Sequence, residues 1–173
     1  MSSRTLLRRA GAAIALTAAA VVLSGVGSAS GAVEYDLLRN VNSAKCLDVA
    51  DGSNSNKAAV LQYTCDASKS HQQWTLEQVG DGSGAVRIKA AHSGKCVDIW
   101  DSSQDPTADA IQYTCNATKY NQQFLVEYTA SGMKFRARHS GLCLDIEGRD
   151  FANKSILHQN TCTAHPAQLF VIG

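Results

Sequence analysis

The sequence predicts an all-β fold made of three similar units. Six cysteines repeat a separation of 19 residues three times along the 173-residue chain. Apolar and polar side chains alternate with a period of two over residues 86–90 and 133–137, as they do in half-buried strands. No window of about 11 residues carries the apolar stripe of an amphipathic helix. The spacing and the periodicity together favour a β-rich repeat over a helical or mixed domain.

The first element, residues 1–32, is predicted to be a secretory signal peptide. Arginines at positions 4, 8 and 9 precede an apolar run over residues 10–26, and the segment has no acidic residue. Small residues then allow cleavage after Ala32, which would start the mature chain at Val33, or after Ser30. A membrane anchor is the alternative, but this Ala- and Gly-rich run is short and weakly hydrophobic for a span. The paired arginines also leave twin-arginine export open. We expect a secreted protein.

Length and charge exclude several classes for the remaining chain. Removing 32 of the 173 residues leaves 141, enough for one domain or a short repeat array and too few for a large multidomain enzyme. Three of the 16 basic residues lie in the leader, so 13 basic and 15 acidic residues remain, a net charge of −2. This balance does not support nucleic-acid binding.

In an exported chain, six cysteines predict disulfides. The repeat favours one pair within each unit: Cys46–Cys65, Cys96–Cys115 and Cys143–Cys162. Each closed loop would contribute about 3 kcal/mol to stability in the chain-entropy model. A metal site is the alternative, but the sequence has no C-x-x-C or H-x-x-x-H pair to support it.

Three further motifs recur at matching positions in units of about 47 residues. The units span residues 35–84, 85–131 and 132–173. Each has a C-[LV]-D-[VI] motif at its first cysteine, a Q-[YN]-T-C motif at its second, and a closing Q-x-[WF] motif. An alternating strand is predicted before the first motif, and another begins at the closing aromatic residue. Turns are predicted at residues 51–56 and 81–84, which are rich in Ser, Asn, Gly and Asp.

These motifs resemble those of the ricin B-chain-type (R-type) β-trefoil lectins, which also occur as carbohydrate-binding modules of bacterial glycoside hydrolases. The resemblance covers the whole mature chain, residues 33–173. It implies three four-stranded units with pseudo-threefold symmetry, forming a six-stranded barrel closed at one end by three hairpins. It also implies that Trp74, Phe124 and Phe170 are core residues, so the Q-x-W motif supports the fold more than it supports binding.

The resemblance implies a sugar site in each unit that has three features. These are an Asp two residues after the first cysteine, an aromatic residue two residues before the second cysteine, and polar residues at the start of the Q-x-[WF] motif. The carboxylate accepts hydrogen bonds from sugar hydroxyls, and the ring stacks on the apolar face of a pyranose. The matching residues are Asp98, Tyr113, Asn121 and Gln122 in the second unit, and Asp48, Tyr63, His71 and Gln72 in the first. Trp100 follows the second-unit aspartate and is expected to extend the predicted ring surface, with partial burial in the fold as the alternative.

The third unit keeps only part of this pattern. Asp145 and Gln168 remain candidates, but Asn160 replaces the ring and Ala167 replaces the amide. In all three units another glutamine lies one place later than in the family pattern, at Gln62, Gln112 and Gln159. That shift argues against a ligand-facing role for these three side chains.

Structural roles remain open for several of these residues. The three aspartates also suit turn capping beside the disulfides, and the Q-x-[WF] glutamines also suit pairing with buried backbone groups. His92, His139 and Asn42 occupy equivalent turn positions, which favours a structural role over catalysis.

The sequence therefore predicts a non-enzymatic lectin that binds galactose-type or xylose/arabinose-type glycans at shallow sites on its first two units. It has no G-x-S-x-G, H-E-x-x-H or P-loop motif. We expect no metal, cofactor, nucleic-acid partner or membrane span, and the oligomeric state stays open. The alternatives are a protein-binding trefoil, such as an inhibitor or toxin-associated module, and a small glycoside hydrolase.

Overall fold

The computed structural model describes residues 34–173, which form twelve β-strands joined by turns and short 3₁₀ helices. The predicted signal peptide, residues 1–32, lies outside the described residues. The strands are β1 (Asp36–Asn40), β2 (Cys46–Val49), β3 (Val60–Tyr63), β4 (Gln73–Gln78), β5 (Ala85–Ala90), β6 (Cys96–Ile99), β7 (Ala110–Tyr113), β8 (Phe124–Thr129), β9 (Gly132–Ala137), β10 (Cys143–Ile146), β11 (Leu157–Asn160) and β12 (Phe170–Ile172).

Six of these strands close into an antiparallel barrel. Strand β1 pairs with β4, β4 with β5, β5 with β8, β8 with β9, β9 with β12, and β12 with β1 again. The other six form three hairpins, β2–β3, β6–β7 and β10–β11. Isolated bridges link neighbouring hairpins, so the three units meet around a common axis. The β-trefoil prediction is confirmed.

The core consists of the inward positions of all three units. Trp74, Phe124 and Phe170 are buried, as predicted, and Phe135 packs against Phe170 with ring centroids 5.8 Å apart. The Trp74 indole nitrogen also donates to the Leu47 carbonyl at 3.0 Å, which pairs its one polar atom. The predicted alternation over residues 86–90 and 133–137 places the apolar side chains inside.

All three predicted disulfides are present, each with a Cα–Cα distance of 5.0 Å. Each bond joins the start of a hairpin's first strand to the turn after its second strand. The disulfide therefore fixes the hairpin beside the aspartate two positions further along the first strand. Within residues 34–173, no helix has the length and hydrophobicity that a membrane span requires.

Candidate functional site

The hairpins present the candidate residues on one face because side chains alternate along a strand. In the second unit, Cys96 pairs with Tyr113 and Asp98 pairs with Ile111, so these side chains share the outer face. Val97 and Ile99 point to the opposite face and join the core. The C-[LV]-D-[VI] motif thus anchors a strand in the core while directing its aspartate outward.

Asp98 is held by the 3₁₀ turn Tyr120–Gln122. Asn121 Nδ2 donates to Asp98 Oδ1 at 2.8 Å, and Gln122 Nε2 donates to Asp98 Oδ2 at 2.7 Å. Burial raises the pKa of Asp98 above its usual value, although the Gln122 hydrogen bond and the charge of Lys119 partly oppose the shift. Each carboxylate oxygen keeps a further acceptor position, so the group can still accept bonds from hydroxyls.

Gln122 is a positioning residue, because its amide nitrogen and its amide oxygen are both hydrogen-bonded within the second unit. Its nitrogen also donates to the Thr114 carbonyl at 3.1 Å, and its oxygen accepts from the Asn116 backbone amide at 2.7 Å. The backbone-pairing role considered for this glutamine is present, and the same amide also orients the aspartate. The aspartate bonds to side-chain amides, so the turn-capping interpretation is wrong for Asp98.

An open cavity of about 650 Å³ lies over this carboxylate. Tyr113 and Trp100 line it and are 37% and 43% exposed, whereas Asp98 is 7% exposed. Two ring surfaces beside a fixed acceptor suit the apolar face and the hydroxyls of a sugar. Tyr120 instead lies under the Arg138 guanidinium, 4.5 Å from its ring centroid.

The first unit repeats this geometry with one exchange. Gln72 Nε2 donates to Asp48 Oδ2 at 2.7 Å, and His71 Nδ1 lies 3.1 Å from Asp48 Oδ1, where Asn121 lies in the second unit. A cavity of about 790 Å³ covers Asp48 and Tyr63. Ala50 occupies the position of Trp100, so this cavity lacks the second large ring, although the His71 imidazole also lines it.

The third unit keeps the hydrogen-bonded aspartate–glutamine pair but lacks the aromatic ring and the second amide of the other two sites. Gln168 Nε2 donates to Asp145 Oδ2 at 2.9 Å and to the Thr161 carbonyl at 2.9 Å. Ala167 is fully buried in the core, and Asp145 Oδ1 has no hydrogen-bond partner within residues 34–173. Asn160 pairs with Cys143 at the position where the other units carry tyrosine.

The protein-family comparison identifies the chain. The family described as the ricin-type beta-trefoil lectin domain matches residues 34–170. The chain belongs to this family. Its fold therefore supports carbohydrate binding as the general function of the lectin domain.

Solved structures agree with this assignment. A designed threefold-symmetric protein, ThreeFoil, is 33% identical with a TM-score of 0.75, covering 80% of this chain and 96% of the other. An exo-beta-1,3-galactanase from Clostridium thermocellum is 31% identical with a TM-score of 0.75, covering 82% of this chain but only 30% of the enzyme. The C-half of an earthworm R-type lectin in complex with GalNAc shares the fold at 13% identity, with a TM-score of 0.65 and coverages of 80% and 97%. A search of curated proteins finds no match.

The late glutamines of the lectin domain face away from the cavities and join neighbouring units. Gln112 lies on the face opposite Tyr113, and its Nε2 donates to the Ser53 and Ser55 carbonyls of the first unit at 2.6 and 2.8 Å. Gln159 and Gln62 make the equivalent bonds to the second-unit and third-unit loops. This confirms that the one-residue shift removes these side chains from the ligand side.

The repeated turn residues bind the same loops, which confirms their structural role. His92 Nε2 lies 3.0 Å from the Ser53 carbonyl, and His139 Nε2 lies 2.8 Å from the Ser103 carbonyl. Asn42 Nδ2 donates to the Arg149 carbonyl at 3.0 Å. Burial lowers the pKa of His139, which favours the neutral ring.

Sequence reasoning missed the charged residues that come to the cavities from outside the motifs. Lys57 belongs to the first unit but lines the second-unit cavity, and Lys154 belongs to the third unit but lines the first-unit cavity. Both lie eight residues before the second cysteine of their own unit, so aligning the loops would have paired them. The alignment alone would not have shown that each faces the neighbouring unit.

Proposed function

We propose that this protein is a secreted lectin that binds galactose-type or xylose/arabinose-type glycans through the first and second units. The observation that carries the proposal is the Asp98 carboxylate, fixed by two amides at the base of an open cavity beside Tyr113 and Trp100. Such a site accepts bonds from adjacent sugar hydroxyls while a ring covers the C–H face.

The first unit supports a second, weaker site. Asp48 has the same amide partner and an exposed tyrosine, but one aromatic wall is missing. A few hydrogen bonds and one stacked ring correspond to millimolar affinity, or about 4 kcal/mol. Two such sites on one rigid domain would bind a polymeric glycan more tightly than either site alone, because the second contact becomes intramolecular.

Of the two proposed types of glycan, the related structures favour the galactose type. The galactanase of which this chain covers 30% acts on beta-1,3-galactan by its description, and the earthworm lectin was solved with GalNAc. We infer that the present chain binds without catalysing a reaction. The match to the ricin-type beta-trefoil lectin domain over residues 34–170 supports this inference.

A glycan panel tests the proposal. Galactosides, xylan, arabinan and mannan oligomers are immobilised and the protein is applied with Asp145→Ala as a matched variant that lacks the equivalent third-unit carboxylate. We expect both proteins to be retained on galactosides or on xylan and arabinan. Retention on none of them would overturn the lectin proposal, and sustained release of product from a soluble glycan would overturn the non-enzymatic part.

A further inference from the structure

Each candidate site is completed by a lysine from the neighbouring unit. Lys57 comes from the loop between β2 and β3, and its Nζ lies 5.0 Å from the centroid of the Trp100 ring. Lys154 occupies the same loop position in the third unit and lines the first-unit cavity beside Asp48. Both cavities are thus lined by a lysine from a loop that belongs to another unit.

These loops are built against the neighbouring hairpin. The Lys57 backbone amide donates to the Gln112 carbonyl at 2.9 Å, and the Gln112 amide donates to the Ala58 carbonyl at 2.8 Å. The Lys154 amide donates to the Gln62 carbonyl at 2.8 Å in the same way. Both lysines have φ of 72°, a left-handed conformation that is unfavourable for a residue with a Cβ. The hairpin contacts therefore hold the backbone of the two lysines in place.

A second lysine lines each cavity from the unit itself. Lys119 and Lys69 lie three residues before Gln122 and Gln72. Lys119 is close enough for its charge to act on Asp98. Among the ion pairs found within residues 34–173, none involves any of these four lysines.

We propose that Lys57 and Lys119 make the second-unit site selective for sugars that carry an anionic group, a carboxylate or a sulfate; this inference rests on the proposed lectin function. The first-unit cavity is lined by Asp48, Asp51 and Asp66 beside its two lysines, so the selectivity is assigned to the second unit alone. Lysine only donates hydrogen bonds and Asp98 only accepts them, so the cavity offers both kinds of partner to one sugar. Hydroxyls of the sugar bind Asp98, and its anionic group binds Lys57 and Lys119. Asp98 and Asp101 also line the cavity, but neither forms an ion pair with Lys57 or Lys119, so both ammonium groups are available to an anionic group of the ligand.

The third unit provides an internal comparison. Beside the third-unit site, Thr107 of the second-unit loop occupies the position that Lys57 has beside the second-unit site, with the same φ of 72°. His165 lies three residues before Gln168, where the other two units have lysine. The third unit therefore keeps the backbone geometry without the lysine pair. Thr107 is the matched position for a control substitution.

The test compares neutral sugars with their acidic counterparts by NMR titration. Galactose is paired with galacturonate and xylose with glucuronate, and galactose 6-sulfate provides a second anionic source. We expect the acidic member of the recognised pair to bind about threefold to tenfold more tightly, the range for one or two solvent-exposed charge pairs. The preference should shrink as salt approaches about 1 M, where the Debye length is about 3 Å.

Variants assign the preference to the lysines. Lys57→Gly suits the left-handed backbone, and Lys119→Gln keeps the side-chain length; together they should bring the acidic-to-neutral ratio at the second site close to one. Thr107→Gly should leave the ratio unchanged, and thermal melting confirms that each variant is folded. Equal affinity for both members of the recognised pair would overturn this inference but keep the lectin proposal. Binding of neither member of either pair would overturn both. Preference for galacturonate over the sulfate identifies carboxylate as the source, and the reverse identifies sulfate.

Discussion

Replacing Gln122 with methionine tests whether this glutamine positions Asp98. Methionine has similar length and volume but makes none of the three hydrogen bonds of the amide. The change removes the bond to Asp98 Oδ2 at 2.7 Å, the bond to the Thr114 carbonyl at 3.1 Å and the bond from the Asn116 amide at 2.7 Å. Asp98 then keeps only the Asn121 contact.

The expected cost in stability follows from these three bonds. Two neutral bonds contribute about 1 kcal/mol each and the bond to a carboxylate about 2 kcal/mol, so the free energy of unfolding should fall by about 4 kcal/mol. A domain of this size has about 5–15 kcal/mol of stability, so the variant still folds. Its melting temperature should fall by about 10 °C.

Gln168→Met is the matched control because Gln168 makes the same three bonds in the third unit, to Asp145, Thr161 and Thr163. Both variants should lose similar stability in calorimetry. Only Gln122→Met should weaken sugar binding at the second site, by about tenfold, read from the amide resonance of Tyr113 during titration. Equal loss of binding in the two variants, or a loss of stability below about 1 kcal/mol, would refute the positioning role.

Three further predictions concern charge, covalent bonds and the ring surface. Because burial raises the pKa of Asp98, sugar binding at the second site should be lost on acidification at a higher pH than an exposed aspartate would give. The raised pKa means that protonation of Asp98 favours the folded state, so circular dichroism should show that the protein stays folded while binding is lost. Unfolding at the same pH as the loss of binding would contradict this prediction. The Cys96→Ala/Cys115→Ala variant should lose about 3 kcal/mol in urea denaturation, and an unchanged midpoint would count against a stabilising disulfide. Trp100→Ala should weaken the second site by about twofold to tenfold in titrations and leave the first site unchanged, since Ala50 already stands there; equal weakening of both sites would be inconsistent with the ring's placement.

The fold could be predicted because its signals are local and repeated. The alternation of Val86 and Ile88 with Arg87 predicts a strand with one buried face, and the repeated 19-residue spacing predicts one disulfide in each unit. The strand period also explains why Gln112 and Tyr113 point to opposite faces. A one-residue shift is enough to move a glutamine from the ligand side to the interface between units.

The site could be predicted only in part, because its remaining features depend on contacts between distant parts of the chain. The Q-x-[WF] motif predicted Gln122 as a site residue. It did not show that the Gln122 amide also bonds to the backbone groups of Asn116 and Thr114. Lys57 lies 41 residues before Asp98 in the sequence and reaches that cavity only because Gln112 fixes its loop. Spacing within one unit cannot report a contact made with the next.

Retention of the Asp48→Ala/Asp98→Ala variant on immobilised glycans tests the central claim most directly. The claim is that these two carboxylates, each fixed by a glutamine amide, are the acceptors that bind sugar. We predict that the double variant loses retention on every glycan that binds the parent, whereas the folded Asp145→Ala control keeps it. Undiminished retention of the folded double variant on those same glycans would contradict the account.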